Sequence, residues 1–184
     1  MKKNKTYSAL IAIFFGLILT TTACKKPVTP PNPNEEELIT TLLMTFTDSA
    51  GVKPSTTVAF KDPDGDGGNN PTQWDTIKLA ASTTYNMSLL LLDESKSPAD
   101  TISNEVLAEA SEHLFCFTIS GANCQVKRTD SDGTYEIGLQ SKWTTGAISN
   151  GNAEVMLRHQ PGTKDGTCTP GATDISLSFL MQIQ

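Results

Sequence analysis

Residues 174–183 read DISLSFLMQI, and apolar side chains recur there at every second position: Ile175, Leu177, Phe179, Met181 and Ile183. Asp174, Ser176, Ser178, Leu180 and Gln182 fill the places between. Successive side chains of a β-strand point to opposite faces, so this alternation predicts a strand with one face in a core and the other in water.

The same period runs back through the chain. Leu38, Thr40, Leu42, Met44 and Phe46 share one face of a strand, and Ile39, Thr41, Leu43, Thr45 and Thr47 share the other. Similar runs occupy 56–60, 84–92, 114–119, 123–129, 139–144 and 153–159. Turn signals part them: Asp64-Gly65-Asp66-Gly67-Gly68, Ser120-Gly121, Asp132-Gly133, Asn150-Gly151 and Asp165-Gly166. One stretch breaks the pattern. Residues 103–112 predict a short helix with Ser103 as N-cap, Glu105 in the first turn, Ile102 and Leu107 as a hydrophobic staple, and Val106, Leu107 and Ala110 as the buried stripe. Seven to nine short strands predict an all-β domain, an immunoglobulin-like antiparallel β-sandwich with one short helix. A closed eight-stranded barrel is the alternative.

The sandwich spans 38–184, and the residues before it read as an address. Lys2, Lys3 and Lys5 precede the apolar run Ala9–Leu19, which is a signal-peptide core too short to span a bilayer. Ala23-Cys24 follows, a small residue before a cysteine as in a lipobox, although Thr21 stands where an aliphatic residue is usual. Residues 1–23 are therefore expected to be a cleaved lipoprotein signal peptide and Cys24 the lipidated residue, anchored by more than one acyl chain. Residues 24–37 form the tether, with four prolines in KKPVTPPNPN (25–34). At about 3 Å per residue, that extended segment holds the domain some 30 Å from the membrane. Position 25 is Lys rather than the Asp that commonly retains lipoproteins in the inner membrane, so an outer-membrane location is expected, on either its periplasmic or its surface face.

Cleavage removes three lysines and no acid, leaving 11 basic residues against 20 acidic ones, a net charge of −9. Such a balance excludes a nucleic-acid binder that works through a basic patch. There is no G-x-S-x-G elbow, no H-E-x-x-H and no phosphate-cradling glycine loop, and the sequence points to a non-enzymatic protein. Acids from separate strands can still converge into a hydrolytic pair that the sequence does not display.

Three features carry chemistry. Asp62-Pro63-Asp64-Gly65-Asp66-Gly67 matches the first half of a calcium loop, with carboxylates at alternate positions and a glycine for the sharp turn. Gln73 stands where that loop needs its bidentate Glu, so Asp62, Asp64 and Asp66 are calcium ligands only if other residues complete the shell. The affinity expected is about 0.1–1 mM, and the bland reading is a polar turn. His113 and His159, with Glu109 and Glu112 nearby in sequence, form a weaker set for a transition metal or haem, and a histidine at a helix end also simply suits the helix dipole. Cys116 and Cys124 flank Ser120-Gly121 with equal parity and would bridge across a hairpin, leaving Cys168 over, although three cysteines allow three single bridges among which the sequence does not choose.

The order Cys24, proline-rich tether, ELITT (37–41), FKDPDGDGG (60–68), TTY (83–85), E-x-x-E-H (109–113), RH (158–159) and TDI-x-x-x-F (173–179) resembles small bacterial outer-membrane lipoproteins of uncharacterised function. The resemblance covers nearly all of the mature chain. It implies a membrane-anchored companion of an outer-membrane transporter or surface protein, and it brings no activity with it. The function expected is a lipid-anchored outer-membrane binding or accessory module, stabilised by calcium. A metal- or haem-capturing lipoprotein and a hydrolase with a concealed site are the alternatives.

Overall fold

A computed structural model describes residues 37–65 and 67–184. The signal peptide, Cys24, most of the tether and Asp66 lie outside the described residues. The elements are β1 (Thr41–Asp48), β2 (Thr56–Lys61), β3 (Gln73–Trp74), β4 (Ile77–Leu79), β5 (Thr84–Leu92), α1 (Ile102–Ala108), β6 (His113–Ser120), β7 (Cys124–Arg128), β8 (Gln140–Thr145), β9 (Ser149–His159) and β10 (Ala172–Ile183). One sheet runs β3-β2-β1-β5-β8-β7 and the other β4-β10-β9-β6. The fold is an all-β sandwich with one short helix. Its pairs are antiparallel except for β4 and β10, which run parallel because a long excursion through both sheets separates them.

The alternation produces the core. Leu42, Met44 and Phe46 of β1 face Leu177, Phe179, Met181 and Ile183 of β10 across an interior in which all seven are buried. The intervening positions look outward, and Leu180 is exposed. Trp143 of β8 is fully buried. Its ring meets Phe46 edge-on at 5.2 Å and Phe117 of the opposite sheet at 5.7 Å, and its Nε1 donates to Ser141 Oγ at 2.9 Å.

Helix α1 is shorter than the sequence predicts and begins earlier. Thr101 occupies the N-cap position without a side-chain cap hydrogen bond. Ser103 lies inside the first turn, and its Oγ accepts from the backbone N–H of Leu91 in β5 at 2.6 Å. Ile102 and Val106, four residues apart, are the buried pair, whereas Leu107 sits about 100° further round the helix and is exposed. The helix stops before His113, which is already the first residue of β6. The two short strands β3 and β4 carry too few residues to show a period.

The cysteine pairing also differs. Strands β6 and β7 are consecutive in the chain but belong to different sheets, so no hairpin places Cys116 opposite Cys124. Cys116 is opposite Met156 of β9 and Cys124 opposite Thr145 of β8. Cys116 instead bonds to Cys168, 52 residues away, with Cα atoms 6.1 Å apart, and Cys124 is a free, half-buried thiol whose pKa burial pushes up to about 11. The disulfide pins the segment 160–171 against β6. Lys164 holds the same segment by donating to the carbonyl of Ala110 at 2.7 Å and to Asp132 Oδ2 at 2.8 Å, and it draws Asp132 down to about 2.

Candidate functional site

A cleft of about 760 Å³ opens between the β2–β3 end of the larger sheet and the start of β10 in the smaller one. Its size falls within the range of small-ligand sites. Glu37, Asp62 and Asp174 bring carboxylates to it, Phe60 and Trp74 form an aromatic wall, and the loop 67–71 makes a rim. Trp74 is 48% exposed and its ring stands edge-on to Phe60 at 5.0 Å and to Phe179 at 6.2 Å. No lysine or arginine is among the described residues that line the cleft.

Each of these side chains is placed by an element end. Glu37 lies just before β1. Asp62 follows β2, and its backbone N–H donates to the Thr40 carbonyl at 2.8 Å, which fixes the chain where it leaves the sheet. Asp174 sits in the register shift between Thr173 and Ile175 of β10, and its side chain is fully buried. A bulge of this kind re-aims one side chain out of the alternation.

The proposed calcium loop is divided. Asp62 is buried and reaches the cleft. Asp64 turns back on its own loop: its Oδ2 accepts from Asn69 N at 2.8 Å and from Asn69 Nδ2 at 2.7 Å. The Asn69 hydrogen bonds hold its carboxyl below the ordinary carboxylate range. A Cβ at Gly68 would meet the Asp64 carboxylate and displace it from its place against Asn69. Asp66 lies outside the described residues. Asp64 thus braces the turn through Asn69, as Asp does in polar loops generally.

The carboxyl of Glu37 is strongly perturbed. Burial raises its pKa first; the charge of Glu105 and a hydrogen bond with it, and then the charges of Asp174 and Glu109, carry it from 4.5 to about 7. The sign of the stability effect follows. Below pH 4.5 Glu37 is protonated in both folded and unfolded chains and costs nothing. As pH rises through 7 the folded protein must accept a charge among Glu105, Glu109 and Asp174, and stability is lost. Glu37→Gln is expected to match the wild type in urea midpoint below pH 4.5 and to exceed it at pH 8, the gap opening between the two pKa values. Equal midpoints at pH 8 would contradict this crowding of acids.

Behind Asp174, the two histidines meet. Their Cα atoms are register partners across β6 and β9, and both continue the inward rows led by Phe115 and Leu157. The rings stack 4.6 Å apart, within 4° of parallel. His113 Nδ1 lies 3.2 Å from the Glu109 carbonyl oxygen, and His113 Nε2 lies 3.8 Å from Asp174 Oδ2. His159 Nε2 lies 3.6 Å from Glu112 Oε2. Burial is the main force holding His113 down to about 4, with His159 and Lys164 adding to it against the Glu109 carbonyl and Glu112, so His113 is neutral at pH 7.

The structure thus brings together His113 and His159, which the sequence leaves 46 positions apart, and places Glu109 with them as the sequence grouped it. It also brings Glu37, Asp62, Trp74 and Asp174 to one cleft. Sequence reasoning missed Glu37 and Asp174 as site residues. The available signal at Asp174 was an acid opening an otherwise clean strand; at Glu37 there was none beyond the end of a charge run. No family model matches this chain, and no curated protein and no solved structure matches it either.

Proposed function

We propose that this protein is a lipid-anchored outer-membrane binding module, not an enzyme, and that its ligand is a cation seated in the cleft at the open edge of the sandwich. The observation that carries this reading is a cleft lined by three carboxyl groups and a half-exposed tryptophan with no basic residue among its described lining. Carboxylates supply charge complementarity for an amine, and the face of Trp74 offers a cation–π contact. Calcium is the second reading, favoured by the place of Asp62 and of the Asn69 and Asn70 amides along the same rim, all oxygen donors. Anchoring through Cys24 keeps such a module at the membrane face, beside a transporter or surface protein that its ligand serves.

The chain has two tryptophans, and Trp143 is sealed in the core, so emission changes on ligand binding report on Trp74. Titration of the mature protein with spermidine, and separately with calcium and then chelator, is expected to shift that emission in the wild type. Glu37→Gln is expected to weaken the response, and Trp74→Phe to abolish it. A flat titration with both cations would overturn the cation reading. Cys24→Ser is expected to release the protein from the membrane fraction; a variant that stays with the membrane would refute the lipid anchor.

A further inference from the structure

Two imidazoles and a carboxylate converge where the C-terminal end of α1 meets β6 and β9. One donor atom from each of Glu109, His113 and His159 lies within 4.8 Å of those of the other two. The side chains of His113 and His159 are 0% and 6% exposed, and neither Nε2 has a hydrogen-bond partner among the described residues. The tautomer of His113 follows from its neighbour. The Glu109 carbonyl can only accept, so Nδ1 donates to it and Nε2 is left as a bare lone pair. That lone pair faces the buried carboxylate of Asp174 at 3.8 Å, and His159 Nε2 faces Glu112 at 3.6 Å. A buried ring nitrogen with no hydrogen-bond partner is costly, and a bound cation removes that cost.

The geometry points to a divalent metal site with His113, His159 and Glu109 as ligands and with Asp174 and Glu112 as flanking carboxylates. Two histidines and a glutamate are a zinc donor set, and imidazole selects first-row ions over calcium or magnesium. Glu109 is exposed, so an ion enters from the helix side. The site goes beyond the cleft reading: it lies behind the cleft, which Asp174 also lines and where Glu37 feels the charge of Glu109. The rings lie parallel, so loading tilts them out of the stack until one nitrogen of each converges on the ion. A bound ion then ties α1 to two strands of the smaller sheet.

The test uses the full chain in detergent micelles, labelled with nitrogen-15 and titrated with zinc chloride. Only two histidines exist, so the imidazole spectrum contains two residues and no others. Both are expected to shift together and to saturate at one equivalent, with a rise in thermal midpoint. Glu109→Gln changes an exposed side chain and keeps the fold; it is expected to weaken zinc by at least about tenfold. Imidazole signals unmoved up to about 1 mM zinc, a shift confined to one histidine, or a Glu109→Gln variant that binds as the wild type would each overturn the site. Trp74 emission in response to spermidine is expected to persist in Glu109→Gln, which separates failure here from failure of the cleft reading.

Discussion

Cys168→Ser is expected to lower the stability of the oxidised protein by about 2–4 kcal/mol, while Cys124→Ser leaves it within about 0.5 kcal/mol of the wild type. The Cys116–Cys168 bond closes a loop of 52 residues. On the chain-entropy account a loop of that length restricts the unfolded chain by close to 4 kcal/mol. Some of the folded-state order survives the loss. Gln160 Nε2 still donates to the carbonyls of Thr167 and Pro170 at 2.8 and 3.0 Å, and Arg158 still reaches the carbonyls of Thr169 and Pro170. Urea unfolding of both variants, with and without reductant, checks the assignment. The wild type under reductant is expected to fall to the level of Cys168→Ser. Had the bridge joined Cys116 to Cys124, Cys124→Ser would lose that stability and Cys168→Ser would keep it, and that result would refute the pairing described here.

Trp143→Ala is expected to cost about 3–5 kcal/mol, enough to unfold a domain of ordinary stability. The indole is fully buried and touches aromatic rings from both sheets, Phe46 on its own and Phe117 on the facing one. Truncation leaves a cavity in the centre of the sandwich that rigid sheets fill only in part. It also strips Ser141, which is buried, of the donor it accepts from. Trp143→Phe is expected to lose less, because a ring still joins the two sheets. Denaturant midpoints at constant m-value make the comparison, and a loss below about 1 kcal/mol for the alanine variant would mean that the sheets do not depend on this contact.

The strand faces were legible because their cause is local. Period-two alternation at 174–183 and 38–47 states which side chains meet the core, and Leu177, Phe179, Met181, Leu42, Met44 and Phe46 are buried as the pattern requires. The helix was legible in place but not in detail. A serine at the expected start reads as a cap, and only packing against β5 shows that its hydroxyl serves Leu91 instead. The calcium loop shows the same limit. Three alternating aspartates fit an ion and a turn equally well, and only the tertiary structure shows that Asp64 accepts from Asn69 across the turn.

From the sequence alone came the alternation, hence the strands, the sandwich class, the buried rows and the acidic balance, since each depends on residues a few positions apart. The tertiary structure alone decided which sheet each strand joins. Because β7 leaves the sheet of β6, Cys116 finds Cys168 rather than Cys124. Because β9 joins β6, His113 finds His159, and the bulge in β10 turns Asp174 toward them. Parity along one strand is a property of the backbone, whereas the neighbour across a sheet is a property of how the whole core closes.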